Sequence, residues 1–269
     1  MRGSGTRSWP RHGGTPWPCW SCRADWDRRS WRAGFGLPAT VSLPGRIEES
    51  FRRQLNGLPE QTQRLLALAA ADPSGDPSLV WRAAGRLGIT VGAGAPAVGA
   101  GLVEFGARVL FCHPLLRSVA YRSAPVHQMR ETHAALAEAT DSAADPDRRA
   151  WHRAQAAAGP DEDVAAELER SAGRAQARGG LVAAAAFLER AALLTPEPGR
   201  RAERLLAAAR GKRDAGELDA ALGLLVAAEA GPLDALQTAR VRQLRGQIAS
   251  DQGHGTDAVR MARARGLAA

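Results

Sequence analysis

Lysine and aromatic residues are scarce in this sequence of 269 residues. Lys212 is the only lysine, and aromatic residues make up 5% of the chain. A phosphate-binding P-loop needs Gly-Lys followed by Ser or Thr, whereas Arg213 follows Lys212, so the sequence contains no such loop. Ala and Leu dominate the apolar residues, which excludes a large β-sandwich and predicts a mainly helical fold.

Cysteine and long apolar runs are also rare. Cys19 and Cys22 form a C-x-x-C pair, but no second pair follows and Cys112 is far along the chain, so we expect no metal site. The longest apolar runs fall well short of the roughly 18 residues that span a bilayer. The beginning of the chain does not resemble a signal peptide. We therefore expect a cytoplasmic protein with no membrane contact.

The net charge of +8 is unevenly distributed. Residues 1–34 contain seven Arg and two Asp, and residues 255–269 contain three Arg and one Asp, so the intervening residues carry only +1. A DNA-binding domain concentrates basic residues on a folded face. The charge pattern therefore argues against DNA binding by the body of this chain.

The first 33 residues differ from the rest in composition. They hold most of the tryptophans, are rich in Gly and Pro, and show neither helical nor strand periodicity. We predict that residues 1–33 are disordered and interpret their composition as that of an out-of-frame leader. Residues 34–45 are predicted to be a linker.

Residues 46–124 carry the signals of a winged-helix-like domain. Ile47, Phe51 and Leu55 share one helix face, and Asp76 followed by Pro77 starts a later helix. Two short strand-like runs flank Gly106-Ala107, which predicts a β-hairpin with a type II′ turn. Pro114 then begins another helix.

Residues 125–269 are predicted to form tetratricopeptide-like helical repeats, with the last repeat incomplete. Ala177 to Pro196 matches Arg213 to Pro232 at an offset of 36, with small residues, a leucine and a final proline in register. A third copy is predicted around Gly253. Such arrays commonly bind a protein or a small ligand on their concave face.

Four segments together carry a resemblance to a known family. "LPGRIEESFRRQL", "AAADPSGDPSLVWRAAGRLGI", "LVEFGARVLFCHPLLRSVAYR" and "DRRAWHRAQAAAGPDEDVAAELERSAGRAQARGG" resemble the central region of actinobacterial LuxR-type transcription regulators, which are similar to MalT-like STAND ATPases. The resemblance implies a winged-helix arm followed by a helical-repeat sensor. The family's P-loop ATPase and its C-terminal helix-turn-helix have no counterpart in this sequence.

The resemblance also implies one candidate site. A histidine near the winged-helix hairpin of STAND proteins can contact the phosphates of ADP, and "FCHPLLRSVAY" places His113 there, with Arg117 one turn later. Both side chains donate hydrogen bonds that suit phosphate oxygens. In the alternative interpretation, His113 only caps the helix that begins at Pro114. The other histidines, including His127, His133 and His152, have no metal-ligand spacing.

These features predict a regulatory segment that acts by binding and by switching, without catalysis. In this interpretation the repeat face binds a protein or small-molecule inducer, ATP or ADP requires the family's ATPase domain, and DNA is bound only through a domain outside this sequence. The alternative is a stand-alone helical-repeat adaptor that binds a partner protein.

Overall fold

The computed structural model describes residues 45–266, with side chains described from residue 45 to 253 apart from that of Arg46. This part of the chain is mainly helical, with one antiparallel pair of strands. The predictions for residues 1–33, and for all but the last residue of the 34–45 linker, lie outside the described residues. In chain order the elements are α1 (Gly45–Asn56), α2 (Glu60–Ala71), α3 (Pro77–Arg86), a 3-10 turn (Val91–Gly94), α4 (Ala95–Gly99), β1 (Val103–Phe105), β2 (Val109–Phe111), α5 (Pro114–Ser123), α6 (Val126–Ala139), α7 (Pro146–Ala156), α8 (Glu162–Ala177), α9 (Leu181–Leu194), α10 (Pro198–Asp214), α11 (Leu218–Glu229) and α12 (Ala235–Gly266).

Aspartate followed by proline begins two of these helices, as the sequence indicates. The carboxylate of Asp76 accepts a hydrogen bond from the backbone N–H of Ser78, and that of Asp145 accepts one from Arg148. Each contact satisfies a backbone donor that the first turn leaves without a helical partner. The predicted start of α7 is confirmed, although the helix ends at Ala156, before the expected stop at Gly159.

The β-hairpin region, which we define as residues 45–139, has one apolar core. Helices α1 to α6 and both strands contribute buried side chains to it. Phe51 and Leu55 of α1 are buried there, as expected. Ile47, predicted on the same face, is 44% exposed, because the first turn of α1 does not reach this core.

The β-hairpin turn differs from the predicted one. Val103 pairs with Phe111 and Phe105 pairs with Val109, which leaves three residues, 106–108, in the turn. A type II′ turn has two central residues and a positive φ at the first of them. Gly106 is not among the glycines with positive φ, so the II′ prediction is wrong.

The helix-pair region, which we define as residues 146–253, contains two pairs that match at an offset of 37. Helix α8 ends at Ala177 and α10 at Asp214, while α9 begins at Leu181 and α11 at Leu218. Both turns use a glycine with positive φ, Gly179 in the first and Gly216 in the second. The short turns make each pair of helices run antiparallel.

The predicted offset of 36 is therefore one residue out of register. At an offset of 37, the buried Ala184 and Ala191 match Ala221 and Ala228, which are also buried. The predicted offset of 36 matches Ala184 and Ala191 with Ala220 and Ala227, which are exposed. Because runs of alanine match well at neighbouring offsets, the pattern of buried residues is needed to decide between 36 and 37.

The last helix also differs from the expectation of a third turn at Gly253. Helix α12 continues through this residue to Gly266. Val241, Leu244 and Ile248 are the side chains that it buries with those of α10 and α11. None of the helices between residues 45 and 266 combines the length and apolar character that crossing a bilayer demands.

Candidate functional site

His113 lies at the N-terminus of α5, immediately after the second strand. Its backbone is extended, with φ at −146°, and its Nδ1 accepts a hydrogen bond of 3.1 Å from the backbone N–H of Leu115. The ring is half-buried, and its centre lies 5.5 Å from that of Phe51. His113 therefore caps the helix, as the alternative interpretation of the sequence expected.

This cap fixes the proton on the His113 ring. Because Nδ1 accepts a hydrogen bond, the proton of the neutral ring is on Nε2. Burial lowers the pKa of His113 below its usual value, so the ring is neutral at pH 7. A ligand at this position would meet one neutral N–H donor from His113 instead of an imidazolium.

Arg117 lies one turn after His113 and points toward the C-terminal end of α2. Its Nε donates to the carbonyl of Ala70 at 3.1 Å, and its Nη2 donates to the carbonyl of Asp72 at 2.9 Å. Carbonyls at a helix end lack helical donors, and the helix dipole favours a positive charge there. The two hydrogen bonds from Arg117 therefore connect α5 to the C-terminal end of α2.

The loop after α2 connects this site to the hairpin. The buried carboxylate of Asp72 accepts hydrogen bonds from the backbone and the hydroxyl of Ser74. Gly75 has a φ of +64°, and its carbonyl accepts a 2.9 Å hydrogen bond from the N–H of Val109. A Cβ at Gly75 would lie 3.0 Å from the carbonyl oxygen of Val109, which leaves space only for glycine.

These contacts assign structural roles to both candidate residues. They do not test contact with ADP, which stays a prediction because it requires an ATPase domain. The structure adds one constraint, since the Nδ1 of His113 and two guanidinium nitrogens of Arg117 are occupied by backbone groups. Phosphate binding here would have to use the remaining donors.

A second polar site, which we call the junction cluster, consists of Tyr121, His133, His152 and Arg190. The hydroxyl of Tyr121 lies 3.0 Å from Nε2 of His133, and the Nδ1 atoms of His133 and His152 lie 2.9 Å apart. Arg190 donates from Nη2 to the carbonyl of Ala154 at 2.7 Å. The cluster links α5 and α6 to α7 and α9, so it joins the two regions of the molecule.

The histidines of the junction cluster are neutral at pH 7. Burial, followed by electrostatic interaction with His152 and Arg190, lowers the pKa of His133 to about 3. Burial and then the charge of Arg148 lower the pKa of His152 to about 3. A pKa near 3 is far from pH 7, which makes these rings poor proton carriers there.

Two nitrogens of the cluster have no hydrogen-bond partner among the described residues, Nε2 of His152 and Nε of Arg190. Buried polar atoms of this kind cost free energy. The cluster is therefore a buried polar contact between the two regions in which part of the hydrogen-bonding capacity is unused.

The sequence did not predict the junction cluster. His133 and His152 are 19 residues apart on different helices, a spacing with no recognised meaning, and Tyr121 is the single tyrosine of the chain. His127, on the same helix as His133, is exposed and does not belong to the cluster. The only sequence signal was the presence of histidine within otherwise apolar helix faces.

The expectation of no metal site can be compared with the structure only in part. Among the side chains that the structure describes, from residue 45 to 253, no three of His, Cys, Asp or Glu come together as a possible metal site. Cys112 is exposed, and Cys19 and Cys22 lie outside the described residues.

Comparison with known proteins gave no match: no family model, no curated protein and no solved structure corresponds to this chain.

Proposed function

We propose that this chain is a regulatory segment of a LuxR-type, MalT-like regulator, in which a winged-helix arm is followed by a tetratricopeptide-like sensor. The proposal begins from the sequence resemblance of the four segments quoted above, which include the surroundings of His113 and residues 147–180. In it, the segment binds an inducer through its helix-pair region and carries no catalytic step of its own.

The order of elements supports the winged-helix part of the proposal. Three helices and a short fourth precede the hairpin of β1 and β2, and α5 follows it. A winged helix uses helices and a β-hairpin in this way, although the fold alone does not assign DNA binding. The two equivalent helix pairs of residues 162–229 support the repeat part.

The junction cluster is the observation that carries the proposal furthest. A sensor can regulate a switch only if movement in one region changes the other. Tyr121 and His133 belong to the side of the β-hairpin region, and His152 and Arg190 belong to the helix-pair region. Arg148 adds a second connection, because it donates to the hydroxyl of Ser74 at 3.2 Å.

Two ADP measurements test the proposal. The isolated chain should not bind ADP at micromolar concentrations, because that affinity needs about 8 kcal/mol and two charge-assisted hydrogen bonds supply roughly 3–6. A chimera that places a MalT-like ATPase domain before this chain should retain ADP. Calorimetry on both proteins checks the difference.

The cap at His113 provides matched variants for the chimera. His113→Asp keeps an acceptor for the N–H of Leu115 but removes the donor and repels phosphate. His113→Ala removes both functions. ADP retention should fall in both variants, whereas thermal stability should fall only in His113→Ala. Unchanged ADP retention would show that the phosphate role of His113 is wrong.

The flanking DNA, read in all three frames, separates this proposal from the alternative. A Walker motif upstream and a helix-turn-helix downstream would support the regulator. If neither is present, the stand-alone adaptor becomes the better interpretation.

A further inference from the structure

A surface cavity rich in arginine lies where α7 meets α8. Its volume is about 150 Å³, and it is lined by Ser142, Pro146, Arg149, Glu167, Arg170 and Arg174. The residues from α8 are Glu167, Arg170 and Arg174, whose spacings of three and four place them on one face of that helix. The cavity is therefore formed by the loop before α7, the first turns of α7 and one stripe of α8.

The charge of the lining is positive. Three guanidinium groups and one carboxylate leave a formal excess of two positive charges. The carboxylate of Glu167 is already paired, because Arg153 donates to it and Arg149 lies 3.6 Å away. The single negative charge of Glu167 is therefore already neutralised by arginine, and the lining keeps an excess of positive charge.

Arg170 is the group that remains available for a ligand. Its side chain is exposed, and it forms no hydrogen bond or ion pair with any residue whose side chain is described, from 45 to 253 apart from Arg46. Arg174, by contrast, donates to Asp147 and to Ser171. Arg170 can turn into the cavity without breaking an existing contact.

We propose that this cavity is a binding site for the phosphate group of a small phosphorylated molecule. Guanidinium groups bind phosphate oxygens through paired N–H donors, and the hydroxyl of Ser142 adds a neutral donor. A volume of about 150 Å³ has room for a phosphate group but not for a peptide or a nucleic-acid segment. The ligand is therefore a small phosphate ester or free phosphate.

This inference goes beyond the proposed function, because the cavity belongs to this chain whatever longer protein contains it. Its position gives a bound phosphate influence over the junction between regions. Arg149 is on α7, the helix that also carries His152 of the junction cluster. The binding experiment below does not involve ADP or DNA, so its failure leaves the proposed function to its own tests.

An NMR titration of the full chain with inorganic phosphate tests the site at low ionic strength. We expect saturable shifts of amides in residues 142–149 and 167–174, with a dissociation constant of about 1 mM, the scale of two charge-assisted hydrogen bonds. Arg170→Gln should weaken phosphate binding about tenfold. The control is Arg130→Gln, an exposed arginine on α6, which changes the net charge equally and should leave the affinity unchanged.

The outcomes separate the proposal from its rivals. If Arg170→Gln and Arg130→Gln weaken binding equally, phosphate responds only to net charge and the site is wrong. Absence of saturable binding also overturns it. A glycerol phosphate titration that gives the same shifts as free phosphate supports a small ester as ligand. Much tighter binding of a short single-stranded oligonucleotide, lost in Arg170→Gln, would identify a nucleic-acid surface instead. Because the side chain of Arg170 has no partner among the described side chains, its variant should melt as the wild type does, which removes misfolding as an explanation.

Discussion

The two regions of this molecule are held together by different forces. The core of the β-hairpin region is one large cluster from several helices and both strands, in which 14 Leu, Val, Ile and Phe side chains outnumber ten alanines. The helix-pair region has two smaller clusters, and 12 of their 23 buried residues are alanine. Alanine lets helices approach closely but buries little apolar area per residue. Polar contacts therefore have a larger part in fixing the second region.

Arg204 shows how such a polar contact works in the helix-pair region. Its side chain is 3% exposed, and it bonds to Glu162 at 2.8 Å and to Glu169 at 2.9 Å. These bonds join α10 to α8 across the intervening helix α9. Hydrogen bonds from Arg204 lower the pKa of Glu162 and raise that of the guanidinium itself. The charged pairing is thus the stable form at neutral pH.

The largest expected effect is acid destabilisation through the junction cluster. The pKa values of His133 and His152 lie at about 3 in the folded chain and near 6.5 when unfolded. The unfolded state therefore binds protons first, and the free energy of unfolding decreases as pH falls below about 6.5. Two such groups remove up to about 4 kcal/mol between pH 7 and pH 5. Urea unfolding at pH 7, 6 and 5 measures the slope.

The pH dependence of stability also involves the titratable and charged groups that face the rings of His133 and His152. Tyr121 remains protonated because burial raises its pKa, and Arg148 and Arg190 contribute positive charge on the other side. His152→Gln removes one titrating ring and should halve the slope, whatever its effect at pH 7. His127→Gln, at an exposed position on α6, is the control and should leave the slope unchanged. Equal slopes in all three proteins would contradict the assignment.

Replacement of Arg204 should cause the second-largest loss of stability. Arg204→Met keeps a side chain of similar length but leaves Glu162 and Glu169 without their common partner. Loss of a fully buried pair costs about 3–5 kcal/mol. Because the two carboxylates are partly exposed, we expect about 2 kcal/mol here.

The matched control for Arg204 is Arg52→Met in the β-hairpin region. Arg52 pairs with Glu48 and Glu49 on the surface of α1, where ion pairs contribute under about 1 kcal/mol. Urea unfolding of both variants at low and high salt compares the two positions. Similar losses would show that polar contacts stabilise both regions equally, against the contrast drawn above.

The helix cap at His113 has the smallest expected effect. His113→Ala removes the acceptor for the N–H of Leu115 and should destabilise the chain by about 1 kcal/mol. His113→Asp restores an acceptor and should recover most of that loss. Thermal unfolding followed by circular dichroism measures both variants. An Asp variant as unstable as the Ala variant would assign the loss to the contact with Phe51 rather than to the cap.

Local signals in the sequence predicted helix starts well. Asp76 and Asp145 precede prolines and cap their helices, because proline fixes a helical φ while the carboxylate accepts a first-turn N–H. His113 capped its helix in the same way. Such interactions involve residues two or three apart, so the sequence contains all the information needed to recognise them.

Contacts between distant residues were not predictable in this way. The offset of 37 required burial at Ala221 and Ala228, since the alanine runs also match at 36. Pairing across the hairpin determined its three-residue turn. His133 and His152 meet only because α6 and α7 pack together. Their place among apolar residues was the only local signal, and it does not indicate that the two histidines meet.

The position of Tyr121 has a practical consequence. It is the single tyrosine in the sequence, and its hydroxyl contacts the junction cluster. Biosynthetic incorporation of 3-fluorotyrosine therefore places one ¹⁹F nucleus, with one resonance, at the boundary between the two regions. That resonance reports rearrangement of the junction cluster before either region unfolds. Relative motion of the two regions becomes observable in the intact chain without mutation. The rate of this motion can be followed as the phosphate concentration or the pH is changed.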